Sequence, residues 1–132
     1  MALAGLTQSA VAQTGAGGLT THVLDLTKGK PGGGVKVALY VIEGGQKRLL
    51  KTAVTNRDGR TDGPMLAGQA FHAGRYELVF SVGDYFRSQG METSDPGFLD
   101  EVPIAFGISD PSQHYHVPLV VSPWAYSTYR GS

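Results

Sequence analysis

The sequence predicts an all-β domain: a two-sheet β-sandwich of about eight short strands with one short helix. Three observations carry this. Glycine is abundant, at 19 of 132 residues, and 7 prolines separate the apolar stretches. Those stretches are short and rich in Val, Leu, Ile, Tyr and Thr, residues that fit a pleated, half-buried surface. Several also alternate apolar and polar side chains, the period of a strand with one face in a core.

In chain order, the opening "MALAGLTQSAVAQTGAGG" is small and weakly apolar. Residues 1–18 read as a flexible leader. "AVAQ" resembles a signal-peptidase site, but neither Lys nor Arg precedes it and no apolar block supports it. The leader therefore favours a cytoplasmic protein, with a remnant export signal and a periplasmic location as the alternative. Residues 19–132 form the folded domain. Strands are predicted over Leu19–Leu26, Val35–Ile42 and Arg48–Thr55, with "GKPGGG" and "NRDGR" as turns; Asp58-Gly59 is a tight-turn pair. A short strand is placed at Met65–Ala67 and a longer one at Arg75–Val82. In "GDYFRSQG", Asp84 is expected to cap a helix of about two turns that Gly90 ends. "SDPG" is a turn. Strands at Val102–Ile108, Gln113–Val121 and Ala125–Tyr129 complete the domain.

Alternation assigns faces. In "QHYHVPLVV", Tyr115, Val117, Leu119 and Val121 share the core face, so His114 and His116 point away from it. Tyr76, Leu78, Phe80 and Val82 likewise face a core. Two sheets packed face to face follow.

Composition narrows the function. Eleven acidic and eleven basic residues give a formal net charge of zero, against a broad electrostatic role on nucleic acid or anionic membrane. Neither a bilayer-spanning apolar stretch nor a cysteine is present, which removes thiolate chemistry and disulfides. The length suits one domain with a single sizeable core.

Four histidines are available: His22, His72, His114 and His116. His114 and His116 could grip a metal with His22 as third ligand, but two histidines at i, i+2 are a weak motif and no neighbouring carboxylate completes it. His72, in "QAFHAGR", reads as solvated. There is no Gly-x-Ser-x-Gly elbow and no phosphate loop. Arg60, just after a turn, is either a solvated hairpin arginine or a planar fork for an oxygen-rich ligand. The closing "YRGS" is either a solvated tail or a docked segment that brings Tyr, Arg, Ser and a carboxylate to one point.

Three separated stretches resemble one family. "LTTHVLDLTKGKPGGGVKVALY", "TNRDGR" and "HYHVPLVVSPWAYSTYRGS" look like the N-terminal, middle and C-terminal blocks of the 5-hydroxyisourate hydrolases, also called transthyretin-related proteins. The resemblance runs from about Leu19 to Ser132. It departs only at Gly32–Gly34, a turn usually less rich in glycine, and at Trp124. It implies a transthyretin-like sandwich of eight strands with one short helix, assembled as a homotetramer whose sites lie where two dimers face each other. It implies ring-opening hydrolysis of 5-hydroxyisourate, the product of urate oxidation, to 2-oxo-4-hydroxy-4-carboxy-5-ureidoimidazoline, without metal or cofactor.

The family's functional residues fall on His22, Arg60, His116 and the closing Tyr129, Arg130, Gly131 and Ser132. On that resemblance, His22 and His116 orient and deprotonate water and Arg60 clamps the substrate oxygens. Ser132 orders the water or the histidines through its hydroxyl and carboxylate. Tyr129 and Arg130 shape the pocket and anchor the tail, and Gly131 is counted with them among the substrate-binding residues. Histidine suits the base because its unperturbed pKa lies near neutrality. The competing expectation is a ligand carrier on the same fold, as transthyretin is for thyroid hormone; a metal-dependent hydrolase using the same histidines is a third.

Overall fold

The computed structural model describes residues 17–91 and 94–131. The leader through residue 16, with its "AVAQ" stretch, and the closing Ser132 lie outside the described residues. The chain runs β1 (Gly18–Asp25), β2 (Lys30–Pro31), β3 (Lys36–Glu43), β4 (Gln46–Val54) and β5 (Leu66–Ala67). A 3-10 turn (Gly68–Ala70), β6 (Gly74–Ser81) and helix α1 (Val82–Ser88) come next. It then forms β7 (Glu101–Ile108), β8 (His114–Val121) and β9 (Tyr126–Thr128). All eight predicted strands and the helix are present. The added element, β2, lies within the predicted "GKPGGG" turn, where Lys30 and Pro31 fold back to pair with Asp25 and Leu24.

One sheet has the order β9-β8-β1-β2, with β5 also on β1; the other is β4-β3-β6-β7. The β1–β8 pair is parallel, with Thr20 opposite His116 and His22 opposite Pro118. The second sheet is antiparallel throughout. The core lies between them. Leu19 and Val23 from β1, Leu78 and Phe80 from β6, and Leu119 and Val121 from β8 are completely buried. Each such side chain contributes about 1.5–3 kcal/mol relative to exposure. The face assignments made for β6 and β8 therefore hold.

The helix differs from expectation in its start. It begins at Val82, with Ser81 at the cap position making no side-chain capping bond, and Asp84 lies inside the first turn. Val82, Gly83, Tyr85 and Phe86 are its buried residues, and Val82, Tyr85 and Phe86 bring side chains. Their i, i+3, i+4 spacing seats the helix on the core, so burial rather than capping sets where it begins. Asp84 still lies where a negative charge favours the helix dipole. Beneath the helix, the Tyr85 hydroxyl donates to the fully buried Asp25 at 2.7 Å. The other Asp25 carboxylate oxygen accepts from the amides of Thr27 and Lys28, closing the turn that leads into β2.

Among the described residues, no helix is long and apolar enough to cross a membrane.

Candidate active site

The outer face of the β9-β8-β1-β2 sheet carries the outward side chains of two adjacent strands. Alternation along β1 presents Thr20 and His22 there; β8 presents His114 and His116. The parallel register makes Thr20 and His116 direct neighbours. His22 and His116 are half-buried, and their rings stack with centroids 6.5 Å apart and planes 29° apart. His114 is exposed.

Arg60 reaches this face from the "TNRDGR" turn. The Asn56 side-chain oxygen accepts from the amides of Asp58 (2.8 Å) and Arg60 (3.3 Å), and the Asn56 amide donates to the Arg60 carbonyl at 2.7 Å. This Asx-type turn fixes the loop from within. It then docks on β1: the Val23 amide donates to the Gly59 carbonyl at 2.8 Å, and Arg60 bridges to His22 in antiparallel fashion. Gly59 is required there. Its φ is +76°, and a Cβ would lie 2.5 Å from the Val23 carbonyl oxygen.

The tail arrives from the other side. The Gly131 amide donates to the His116 carbonyl at 2.7 Å, and the two residues form an isolated bridge. Tyr129 and Arg130 do not join the imidazoles. Arg130 lies 3.9 Å over the Tyr115 ring and donates to the Gln113 side chain at 2.9 Å and the His114 carbonyl at 3.3 Å. With Tyr129 it lines a groove of about 210 Å³ that also takes in Tyr115, Val117 and the β7 edge. Tyr115 and Val117 project from the core side of β8, so the groove lies across the strand from the histidines.

The structure thus brings His22, Arg60, His116 and Gly131 together. Arg130 ties the tail to the other side of β8, where Tyr129 lines the groove and stays largely exposed. Ser132 lies outside the described residues. His72 is exposed in its loop, as expected, and its carbonyl accepts the Tyr76 hydroxyl.

Electrostatics follow from this placement. Burial, and then the Arg60 charge, hold the His22 imidazole below its ordinary value, although a hydrogen bond to the Asp58 backbone pulls back. Burial first, then Arg60, His22 and His114, hold His116 below its ordinary value too. A neutral imidazole at neutral pH is a competent base, and a guanidinium nearby can hold developing negative charge. No group of three His, Asp or Glu side chains among the described residues is placed to hold a metal ion.

Residues 19–131 match the HIUase/Transthyretin family. The chain belongs to that family. It is 57% identical over 116 residues to 5-hydroxyisourate hydrolase 2 of Rhizobium meliloti (strain 1021), covering 88% of this chain and 97% of the relative. The solved Klebsiella pneumoniae 5-hydroxyisourate hydrolase superposes with a TM-score of 0.73 at 36% identity, covering 88% of this chain and 99% of that one. An (S)-allantoin synthase superposes with a TM-score of 0.84 at 46% identity; there the match covers 91% of this chain but 45% of the other, so this chain spans just under half of that protein. The sandwich of this HIUase/Transthyretin member is the transthyretin-like fold expected from the resemblance.

Two residues that organise the site were not singled out in the sequence. Asn56 locks the Arg60 turn. Thr20 contacts both outward histidines of β8: its Oγ1 lies 2.8 Å from His116 Nδ1 and 3.1 Å from His114 Nε2. Alternation along "LTTH" does place Thr20 on the His22 face. Its contact with β8 needed the strand register, which the sequence does not display.

Proposed function

We propose that the protein hydrolyses 5-hydroxyisourate by attack of water on a ring carbonyl, opening that ring. The observation that carries this is the meeting of His22, Arg60 and His116 on one sheet face, in a chain 57% identical to a 5-hydroxyisourate hydrolase. His116 is assigned the base. Its Nδ1 is engaged by Thr20, and Nε2 is assigned to the attacking water. His22 orients that water from the neighbouring strand. Arg60 holds the substrate oxygens and favours the oxyanion as it forms. General base catalysis supplies ~10²–10⁴-fold, roughly 3–5 kcal/mol of barrier.

The tail is assigned a positioning role. Gly131 lies against His116, Arg130 anchors the segment, and Ser132 is given the ordering of the water or the histidines. The face is assigned to a homotetramer interface, where a second subunit pair would wall the pocket and exclude water. The inward faces of both sheets are spent on one subunit's own core, which leaves the imidazole face for that contact.

The test is to add the protein to urate plus urate oxidase and follow the ultraviolet decay of the intermediate. Wild-type protein is expected to accelerate the decay. His116→Ala, and a chain lacking Tyr129–Ser132, are each expected to lose most of that acceleration. An unaltered decay with wild-type protein refutes the activity, and a fully active His116→Ala variant refutes the assignment of the base.

A further inference from the structure

Thr20 stands between two imidazoles of different character. His116 is half-buried beside Arg60, while His114 is exposed on the same face of β8. The threonine hydroxyl spans them, at 2.8 Å from Nδ1 of His116 and 3.1 Å from Nε2 of His114. A hydroxyl both donates and accepts, so it can pass a proton through. We infer that Thr20 and His114 form a proton relay for His116, with Thr20 as its positioning residue and His114 as the terminal acceptor. The relay rests on the function proposed above, in which His116 is the base.

The protons balance as follows. Before attack, His116 Nδ1–H donates to Thr20 Oγ1, and the Thr20 hydroxyl donates to His114 Nε2. His116 Nε2 is then a bare lone pair facing water. As the water oxygen bonds to the substrate carbonyl carbon, its proton moves to His116 Nε2. The Nδ1 proton passes to Thr20 Oγ1, and the original Thr20 proton passes to His114 Nε2. The charge now rests on His114, and every hydrogen bond in the chain has reversed direction. His116 Nε2–H then protonates the leaving ring nitrogen, and the two transfers run backwards to restore the start.

The gain is electrostatic. A cation on His116 is opposed by burial and by Arg60, His22 and His114, against which a hydrogen bond to the Thr20 backbone pulls back. Moved to His114, which is exposed in the subunit while His116 is half-buried, the charge is less desolvated. Arg60 stays free to stabilise the oxyanion rather than repel an adjacent imidazolium.

Three variants and one spectroscopic readout test the relay. Thr20→Val keeps the side-chain shape and removes the hydroxyl. It is expected to lower kcat about 10–100-fold with little change in KM, by analogy with loss of the outer hydrogen-bond partner of a metal-bound imidazole. Thr20→Ser restores the hydroxyl and is expected to recover most of the rate. His114→Gln is expected to lower kcat comparably, and the Thr20→Val/His114→Gln double variant to fall no further than either alone. Nitrogen-15 NMR of the imidazoles at neutral pH is expected to show His116 protonated at Nδ1 in the wild type and shifted toward the Nε2–H form in Thr20→Val.

Full activity in His114→Gln overturns the relay even if Thr20→Val is slow. Failure of Thr20→Ser to recover activity overturns it, and so does an Nε2–H His116 in the wild type. The NMR reading needs no substrate. A wild-type protein inactive on 5-hydroxyisourate would therefore overturn the proposed function, while the tautomer still decides the network.

Discussion

Replacing Gly131 by alanine tests whether the tail must lie against His116. A Cβ at that position would stand 2.8 Å from His116 Cδ2 and 3.3 Å from His116 Cβ, where ordinary contact begins at 3.4 Å. Either partner must therefore move by about half an ångström. The imidazole is the stiffer of the two: it sits in a central strand and its Nδ1 is held by Thr20. The tail is held at this point by one backbone bond, from the Gly131 amide to the His116 carbonyl. The tail yields, and losing that bond costs about 0.5–1.5 kcal/mol. A misplacement of about 1 Å near reacting groups can cost on the order of 10²-fold. Half of that displacement predicts a loss of roughly tenfold in kcat, with a fall of only a few degrees in Tm. The assay is the initial rate of 5-hydroxyisourate decay, with Gly63→Ala as reference because nothing lies within 4 Å of a Cβ there. A Gly131→Ala rate within twofold of that reference would refute the claim that the tail positions the site.

The remaining predictions concern protonation and the buried acid. His22 and His116 are both held below their ordinary values, chiefly by burial and then by Arg60. A base works only when neutral, so kcat/KM is expected to stay level as pH falls through about 6.5 and to drop only below it; a descending limb at or above that pH contradicts the assignment. The same shifts bear on stability. Below about pH 6.5 the unfolded chain binds protons at these positions before the folded chain does, so stability falls as pH drops toward the folded values. Tm is therefore expected to decline less between pH 7 and pH 5 in a His22→Gln/His116→Gln variant than in the wild type. Burial first, and then the bond to Asp25, push the Tyr85 hydroxyl well above its ordinary value, so it remains a donor. Tyr85→Phe removes one bond to a buried carboxylate and is expected to cost about 1–3 kcal/mol in urea unfolding with kcat unchanged; a cost below about 0.5 kcal/mol, the level of an ordinary surface change, refutes that role for the pair.

Most of the fold was legible because alternation is a strong local signal. Tyr76, Leu78, Phe80 and Val82, and Tyr115, Val117, Leu119 and Val121, declared their inward face, and each is buried. The start of α1 was misjudged because Asp84 is a good capping residue, while the burial of Val82 that decides the matter is a tertiary effect. β2 went unseen because a two-residue pairing inside a glycine-rich turn has no period to detect. His22, Arg60 and His116 were reached through resemblance and not through spacing. They lie on a strand, a turn and another strand; the parallel β1–β8 register brings the histidines together, and the Arg60–His22 bridge brings in the turn. Thr20 was out of reach for the same reason: its partners are 94 and 96 residues away. Arg130 was reached the same way as the histidines, through resemblance: it was expected to shape the pocket and anchor the tail, and the Tyr115 ring, the Gln113 side chain and the His114 carbonyl hold it as an anchor.

The tail's course follows from one residue in the middle of β8. β9 pairs with β8 so that Tyr126 faces Val121 and Thr128 faces Leu119. The Gly131–His116 bridge falls in that same register, three residues further along each strand. Between the two pairings stands Pro118, which has no N–H to give to a ladder. Its carbonyl is taken instead by the Thr128 hydroxyl at 2.7 Å. The ladder therefore stops at Thr128, Tyr129 and Arg130 leave the pairing, and Arg130 anchors on the far side of β8. Pairing resumes only where the His116 carbonyl can accept Gly131. A continuous strand would have spent these backbone groups on a uniform sheet edge. The proline breaks the edge one step before the histidine, so the tail is tied down at the backbone of the residue assigned as the base. At that crossing a side chain on residue 131 would collide with the imidazole, and glycine is what the geometry admits.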